Sequence, residues 1–154
     1  MANLFSVLVV IITTLSPIVE LNGSIPLGIA LGLDPLFTFL IVVVTNSLLF
    51  FVIYFALFFF YENFISKINF FKKYIEKSRR KVKPYVKKYG YLGLTAFIAL
   101  PTPFTGVYTG SVIAWILGMD WKKSFLAIVI AVVINGLIVL GAVLGIFEFL
   151  KFLL

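Results

Sequence analysis

Ser16-Pro17 and, three positions on, Glu20-Leu21-Asn22-Gly23-Ser24-Ile25-Pro26 interrupt an otherwise apolar run, which continues into Gly32-Leu33-Asp34 and Phe39-Leu40. At a constant offset of 86 positions the pattern returns as Thr102-Pro103, Gly118-Met119-Asp120 and Phe125-Leu126. A hydroxyl followed by proline is a helix-start signal. The side-chain oxygen caps free backbone N–H groups, and proline at the first helical position sacrifices no hydrogen bond. Deep in apolar sequence, it predicts helices that stop and restart inside a membrane, where irregular backbone survives only against protein or a water-filled cavity. Paired interruptions in two repeats are a pointer to a transport site. The expected breaks are Pro17, Pro26, Pro101 and Pro103, with helix starts at Thr102-Pro103 and at either Ser16-Pro17 or Ser24-Pro26.

Composition sets the class. Hydrophobic residues make up 62% of the chain and charged residues 12%, and the mean hydropathy is +1.16. Met1 to Val19, Pro35 to Tyr61, Tyr89 to Met119 and Ser124 to Phe147 carry no charged side chain. Runs of that length exceed what a soluble core helix needs, and read as integral membrane protein. The first run lacks a basic start and an Ala-x-Ala site, so it is not read as a secretory signal. The 154 residues are expected to form one membrane domain. With no Cys and no His, disulfides, thiolate chemistry and the commonest transition-metal ligand are out of reach. No cofactor or metal is expected.

Charge placement gives orientation. Ten of the 13 Lys and Arg lie between Lys67 and Lys88, and short basic connections stay cytoplasmic. Within that stretch Ile65, Ile68, Phe71, Ile75, Val82 and Val86 recur at roughly helical spacing, which predicts amphipathic helix on an anionic leaflet, broken near Pro84. Two topologies compete. Four plain spans over 1–20, 35–61, 91–118 and 124–150 leave Lys122-Lys123 outside. Re-entrant hairpins over 3–33 and 91–119 put those lysines inside and Asp34 outside, and are preferred. The expected fold is therefore an all-α integral membrane protein of the cell membrane, crossing it more than once. It has two inverted repeats (1–61 and 91–154), each a re-entrant helical hairpin plus one full transmembrane helix. A basic amphipathic cytoplasmic connector over 62–90 joins them.

Glu20 is the leading functional candidate, the carboxylate beside a membrane-depth break, where ionisable residues default to function. With no Lys or Arg close in sequence to pair with it, a carboxylate that gains and loses a proton as access switches sides would be a coupling site. Asn22, Ser24, Thr102, Thr105, Tyr108 and Thr109 form the supporting polar set for a substrate headgroup or small cation. Restarted helix N-termini near Pro17 or Ser24-Pro26 and near Pro103 also suit an anion. Asn46 and Asn135 on the long spans read equally well as interhelical glue, and Gly106 and Gly110 as close packing. Trp115 and Trp121 fit an interface belt.

Glu20-Leu-Asn-Gly-Ser-Ile-Pro-Leu-Gly-Ile-Ala-Leu-Gly32 resembles the first signature of the small multidrug export protein family. Leu100-Pro-Thr-Pro-Phe-Thr-Gly-Val-Tyr-Thr-Gly110 and Gly118-Met-Asp-Trp-Lys-Lys-Ser-Phe125 resemble the second. The resemblance extends to the DedA (VTT-domain) membrane proteins. It implies two inverted hairpin-plus-span repeats and, for several of those proteins, lipid movement between leaflets. Asn22 stands where the family usually has arginine and Phe104 where it has glycine. The arginines that DedA proteins carry near the second break are absent here.

No His-based triad, P-loop or close carboxylate pair is present, so no enzymatic activity is expected. The expected function is a small transporter or lipid flippase/scramblase with a midplane site between facing hairpins, driven passively or by a proton or cation gradient. Its partners would be membrane lipids and an unidentified small-molecule or lipid substrate, with no nucleic acid. Half-polar surface left by so few helices suits a homodimer. The alternative is a non-transporting scaffold or assembly factor acting through the basic cytoplasmic helix.

Overall fold

The computed structural model describes residues 4–63, 77, 89–102 and 106–153. Apart from Lys77, which is exposed, and the helical end at Glu62 and Asn63, the expected amphipathic connector lies outside the described residues up to Tyr89. Among the described residues these helices follow in order: α1 (Leu4–Thr14), α2 (Glu20–Ala30), α3 (Pro35–Asn63), α4 (Tyr91–Ala99), α5 (Val107–Ile116) and α6 (Trp121–Leu153). Two of them, α3 and α6, carry apolar stretches long enough to cross a membrane, Pro35–Tyr61 and Trp121–Ile146. The other four have 9 to 11 residues, about 14–16 Å of helix, half of a ~30 Å hydrocarbon core.

The short helices fold back on each other in pairs. The Ser24 hydroxyl of α2 lies 3.2 Å from the Thr13 hydroxyl of α1, and a Cβ on Gly28 would lie 3.0 Å from Val10. In a straight helix those pairs would stand some 16 to 27 Å apart. Likewise Gly110 of α5 sits against Ile98 and Leu94 of α4. Uninterrupted helices through 1–20 and 91–118 are thereby ruled out. The long helices run antiparallel, as Phe51 meets Phe125 at 4.5 Å, Phe55 meets Trp121 at 6.1 Å, and Phe39 packs on Gly136.

The corners repeat at the same offset of 86 as the sequence pattern. Helix α2 ends with Gly32 at φ +79° and α5 with Gly118 at φ +63°, left-handed positions that glycine takes without a Cβ clash. Leu33 N–H bonds Gly28 O at 3.0 Å, and Met119 N–H bonds Ala114 O at 2.9 Å, the six-to-one bond of a Schellman cap. The next helix then starts on an aspartate. Asp34 Oδ1 accepts from Phe37 N–H at 2.9 Å, and Asp120 Oδ1 from Lys123 N–H at 3.0 Å. The packing pattern also repeats. Exchanging α1, α2 and α3 for α4, α5 and α6 turns each of the principal helix contacts into another that is present, and leaves the α3–α6 contact unchanged.

Several local expectations fail. Helix α2 starts at Glu20, not at Ser16-Pro17 or Ser24-Pro26, and α5 starts at Val107, beyond Thr102-Pro103. Neither start has a local side-chain cap. Pro26 breaks nothing. It lies inside α2, where its missing N–H withholds a partner from the Asn22 carbonyl. Trp115 is buried and packs edge-on against Tyr61 at 5.3 Å.

Candidate functional site between the two breaks

A break inside apolar surroundings leaves carbonyls orphaned at one helix end and N–H groups at the next. Turn backbone meets some of these groups, as where Leu15 N–H bonds Ile11 O and Ser16 N–H bonds Thr13 O, and particular side chains meet others. At the end of α1, Thr14 donates back to Val10 O at 2.7 Å, and Thr13 to Val9 O at 2.8 Å. The Leu15 carbonyl accepts from the Tyr108 hydroxyl of α5 at 2.6 Å. At the end of α4, the Ile98 carbonyl accepts from Asn135 Nδ2 of α6 at 2.9 Å. Ser24 donates to the Glu20 carbonyl at 2.6 Å.

Glu20 performs the corresponding service for α5. Its Oε2 accepts from Val107 N–H at 3.2 Å, with the backbone N–H of Tyr108 also facing the carboxylate. These are the first two residues of α5, so a carboxylate 87 positions away caps the helix. Charge and dipole favour that placement, by about 0.3–2 kcal/mol depending on burial. Gly106 makes it possible, because any Cβ there would collide with the Glu20 carboxyl group. Its φ of −88° is open to any residue; the need is for space. The Glu20 side chain is 8% exposed.

Glu20 is also the one non-glycine among the described residues with positive φ, at +43°. That conformation costs an L-residue roughly 1–2 kcal/mol. Strain of this kind persists only where the surroundings over-determine it. Here α2 must start in an orientation that aims the carboxylate at α5.

Of the other expected site residues, Tyr108 and Ser24 join this network. Asn22 is half-buried, and its Oδ1 is enclosed without a hydrogen-bond partner among the described residues. Thr109 is half-buried on the first turn of α5, while Pro101 and Thr102 are exposed. Pro17 lies in the turn between α1 and α2. Pro103 and Thr105 fall outside the described residues. The N-terminus expected to attract an anion near Pro103 instead begins at Val107, and the chain's own carboxylate occupies it.

Sequence reasoning missed one participant. Gly106 was assigned to packing, although the 86-residue offset pairs it with Glu20. Asn46 was left undecided. It is wholly buried on the face of α3 that carries Phe39, Val42 and Phe50, and neither amide atom has a partner among the described residues. It stands eleven residues, about 16 Å, into α3.

Residues 20–138 match the sequence model of a family described as small multi-drug export proteins. No curated protein and no solved structure matches the chain.

Proposed function

Because the chain belongs to the small multi-drug export protein family, we propose that it is a multi-pass transporter of the cell membrane with its substrate path between the two breaks. The observation that carries this reading is the Glu20 carboxylate of one half held on the α5 N-terminus of the other. In this reading the halves are inverted repeats, their short-helix pairs are re-entrant hairpins, and the breaks meet at mid-depth. The antiparallel long helices and the matched corners support it, since two like units with opposed spans enter the membrane from opposite faces. Kinship with the DedA proteins belongs to the same proposal.

Glu20 then couples a proton to movement. As a carboxylate it binds the free N–H groups of α5 and joins the halves. Protonation removes the charge that the helix dipole favours and loosens the joint. Asn22 Oδ1 and both amide atoms of Asn46, enclosed and without a partner among the described residues, support a polar ligand or water nearby, because such groups cost about 1–3 kcal/mol when nothing completes them. The family name specifies no substrate. A small amphiphilic cation and a lipid both remain candidates.

Two measurements test the reading. Cysteines at Lys77→Cys and Lys122→Cys should both be labelled from the cytoplasm, and at Asp34→Cys from outside; labelling of positions 77 and 122 on opposite faces would overturn the inverted arrangement. In proteoliposomes, Glu20→Gln should fold but lose gradient-driven flux by ~tenfold or more, equivalent to about 1.4 kcal/mol of barrier. Wild-type flux from that variant at every pH would remove proton coupling.

A further inference from the structure

A second feature lies away from the breaks, between α4 and α6. An open cavity of about 290 Å³ is walled by Leu92, Leu126 and Ile130, with Ala127 and Thr95 at its base and Tyr91 and Lys123 beside them. The walls are apolar and outward-facing, with Leu92 70%, Leu126 61% and Ile130 46% exposed, whereas Ala127 is buried. The Thr95 hydroxyl in the lining is already committed, donating within reach of the Tyr91 carbonyl at 2.9 Å and the Ala127 carbonyl at 3.2 Å, while the Tyr91 hydroxyl oxygen accepts from Asp120 N–H at 3.2 Å. Lys123 is the one charged residue of the lining among the described residues, and Ile130 lies seven residues, about 10 Å, further along α6.

This is an amphiphile's complement: a cation at one end and a hydrocarbon trough at the other. Helix stability does not explain the lysine, since a cation in a first turn opposes the helix dipole. The other half lacks the combination. At the offset of 86, Lys123 corresponds to Phe37 and Tyr91 to Phe5. The volume is just below the ~300–1,000 Å³ of drug-sized pockets, and the site is open along its length, which suits a chain better than a compact ligand.

We propose that this groove holds one acyl chain of an anionic phospholipid, with the headgroup phosphate on the Lys123 ammonium. The site is separate from the breaks and does not depend on Glu20. A single lysine near an anionic surface contributes about 1 kcal/mol, roughly fivefold in binding. Native mass spectrometry of the purified protein, titrated with phosphatidylglycerol or phosphatidylcholine of identical chains, tests it. Wild type should favour phosphatidylglycerol by about fivefold. Lys123→Gln should abolish that preference and Lys123→Arg should keep it. Lys122→Gln should also keep it, because the Lys122 ammonium lies over the Trp121 ring at 5.5 Å and does not line the groove. Ile130→Trp, which fills the trough, should weaken both lipids. Equal effects of the two lysine substitutions to Gln, no lipid preference in wild type, or unchanged binding by Ile130→Trp would each overturn the proposal.

Discussion

The two breaks solve one problem with different parts. After α1, five residues turn the chain, and the next helix begins on a strained glutamate. After α4, the corresponding position is Gly106, unstrained and without a side chain. These two positions, 86 apart in sequence, touch in the structure. If the halves are related by a two-fold axis, that axis passes near the contact, and identical residues there would face themselves. Two glutamates would repel, and two glycines would leave both helix starts uncapped. One of each gives a cap and the room for it. In the proposed inverted-repeat arrangement, the asymmetry at the centre is thus a requirement of the symmetry around it.

The most severe way to break this arrangement is Gly106→Ala. Its Cβ has no room beside the Glu20 carboxyl group, so the cap must leave and the start of α5 must shift. We expect about 2–4 kcal/mol of destabilisation, combining overpacking with a lost charged hydrogen bond, read as a sharply lower denaturation midpoint in detergent. Exchanging the pair, Glu20→Gly with Gly106→Glu, sharpens the comparison. Glycine relieves the positive φ, and the carboxylate now reaches towards α2. The double variant should be more stable than Gly106→Glu alone; an additive loss would show that the two positions are not interchangeable.

How much of this was legible beforehand depends on the range of each interaction. The corners were readable because Gly32-x-Asp34 and Gly118-x-Asp120 act through bonds spanning three to six residues. The breaks were readable as interruptions, but their boundaries were not. Ser16 and Thr102 looked like caps because a local hydroxyl is the usual source. The cap of α5 instead comes from 87 residues away, and propensity carries no information at that separation. Pro26 misled because it continues a helix whose neighbours hold it. The offset did contain the answer for Gly106, since adding 86 to Glu20 names its partner.

Smaller effects distinguish the two carbonyl ends. Asn135→Leu removes the donor to Ile98 O and leaves that carbonyl buried, so a loss of about 1–2 kcal/mol is expected in a denaturant titration. Tyr108→Phe removes the bond to Leu15 O at a more exposed position, with about 0.6–1 kcal/mol expected from the same measurement. Tyr108→Phe should also weaken coupling between the halves, detectable as non-additivity with Glu20→Gln. Strict additivity would mean that the two contacts act alone.

The paired Schellman–aspartate corners have a mechanical consequence. Each closes the end of a short helix and the start of its long neighbour with one short bond apiece, around a left-handed glycine, leaving little freedom at Gly32 or Gly118. In the proposed transporter, short and long helices on one side of a corner swing as a single lever. Motion that opens one face is then taken up away from the corners, as at Leu15–Val19 between α1 and α2. The elbows are rigid, and the shoulder is Glu20.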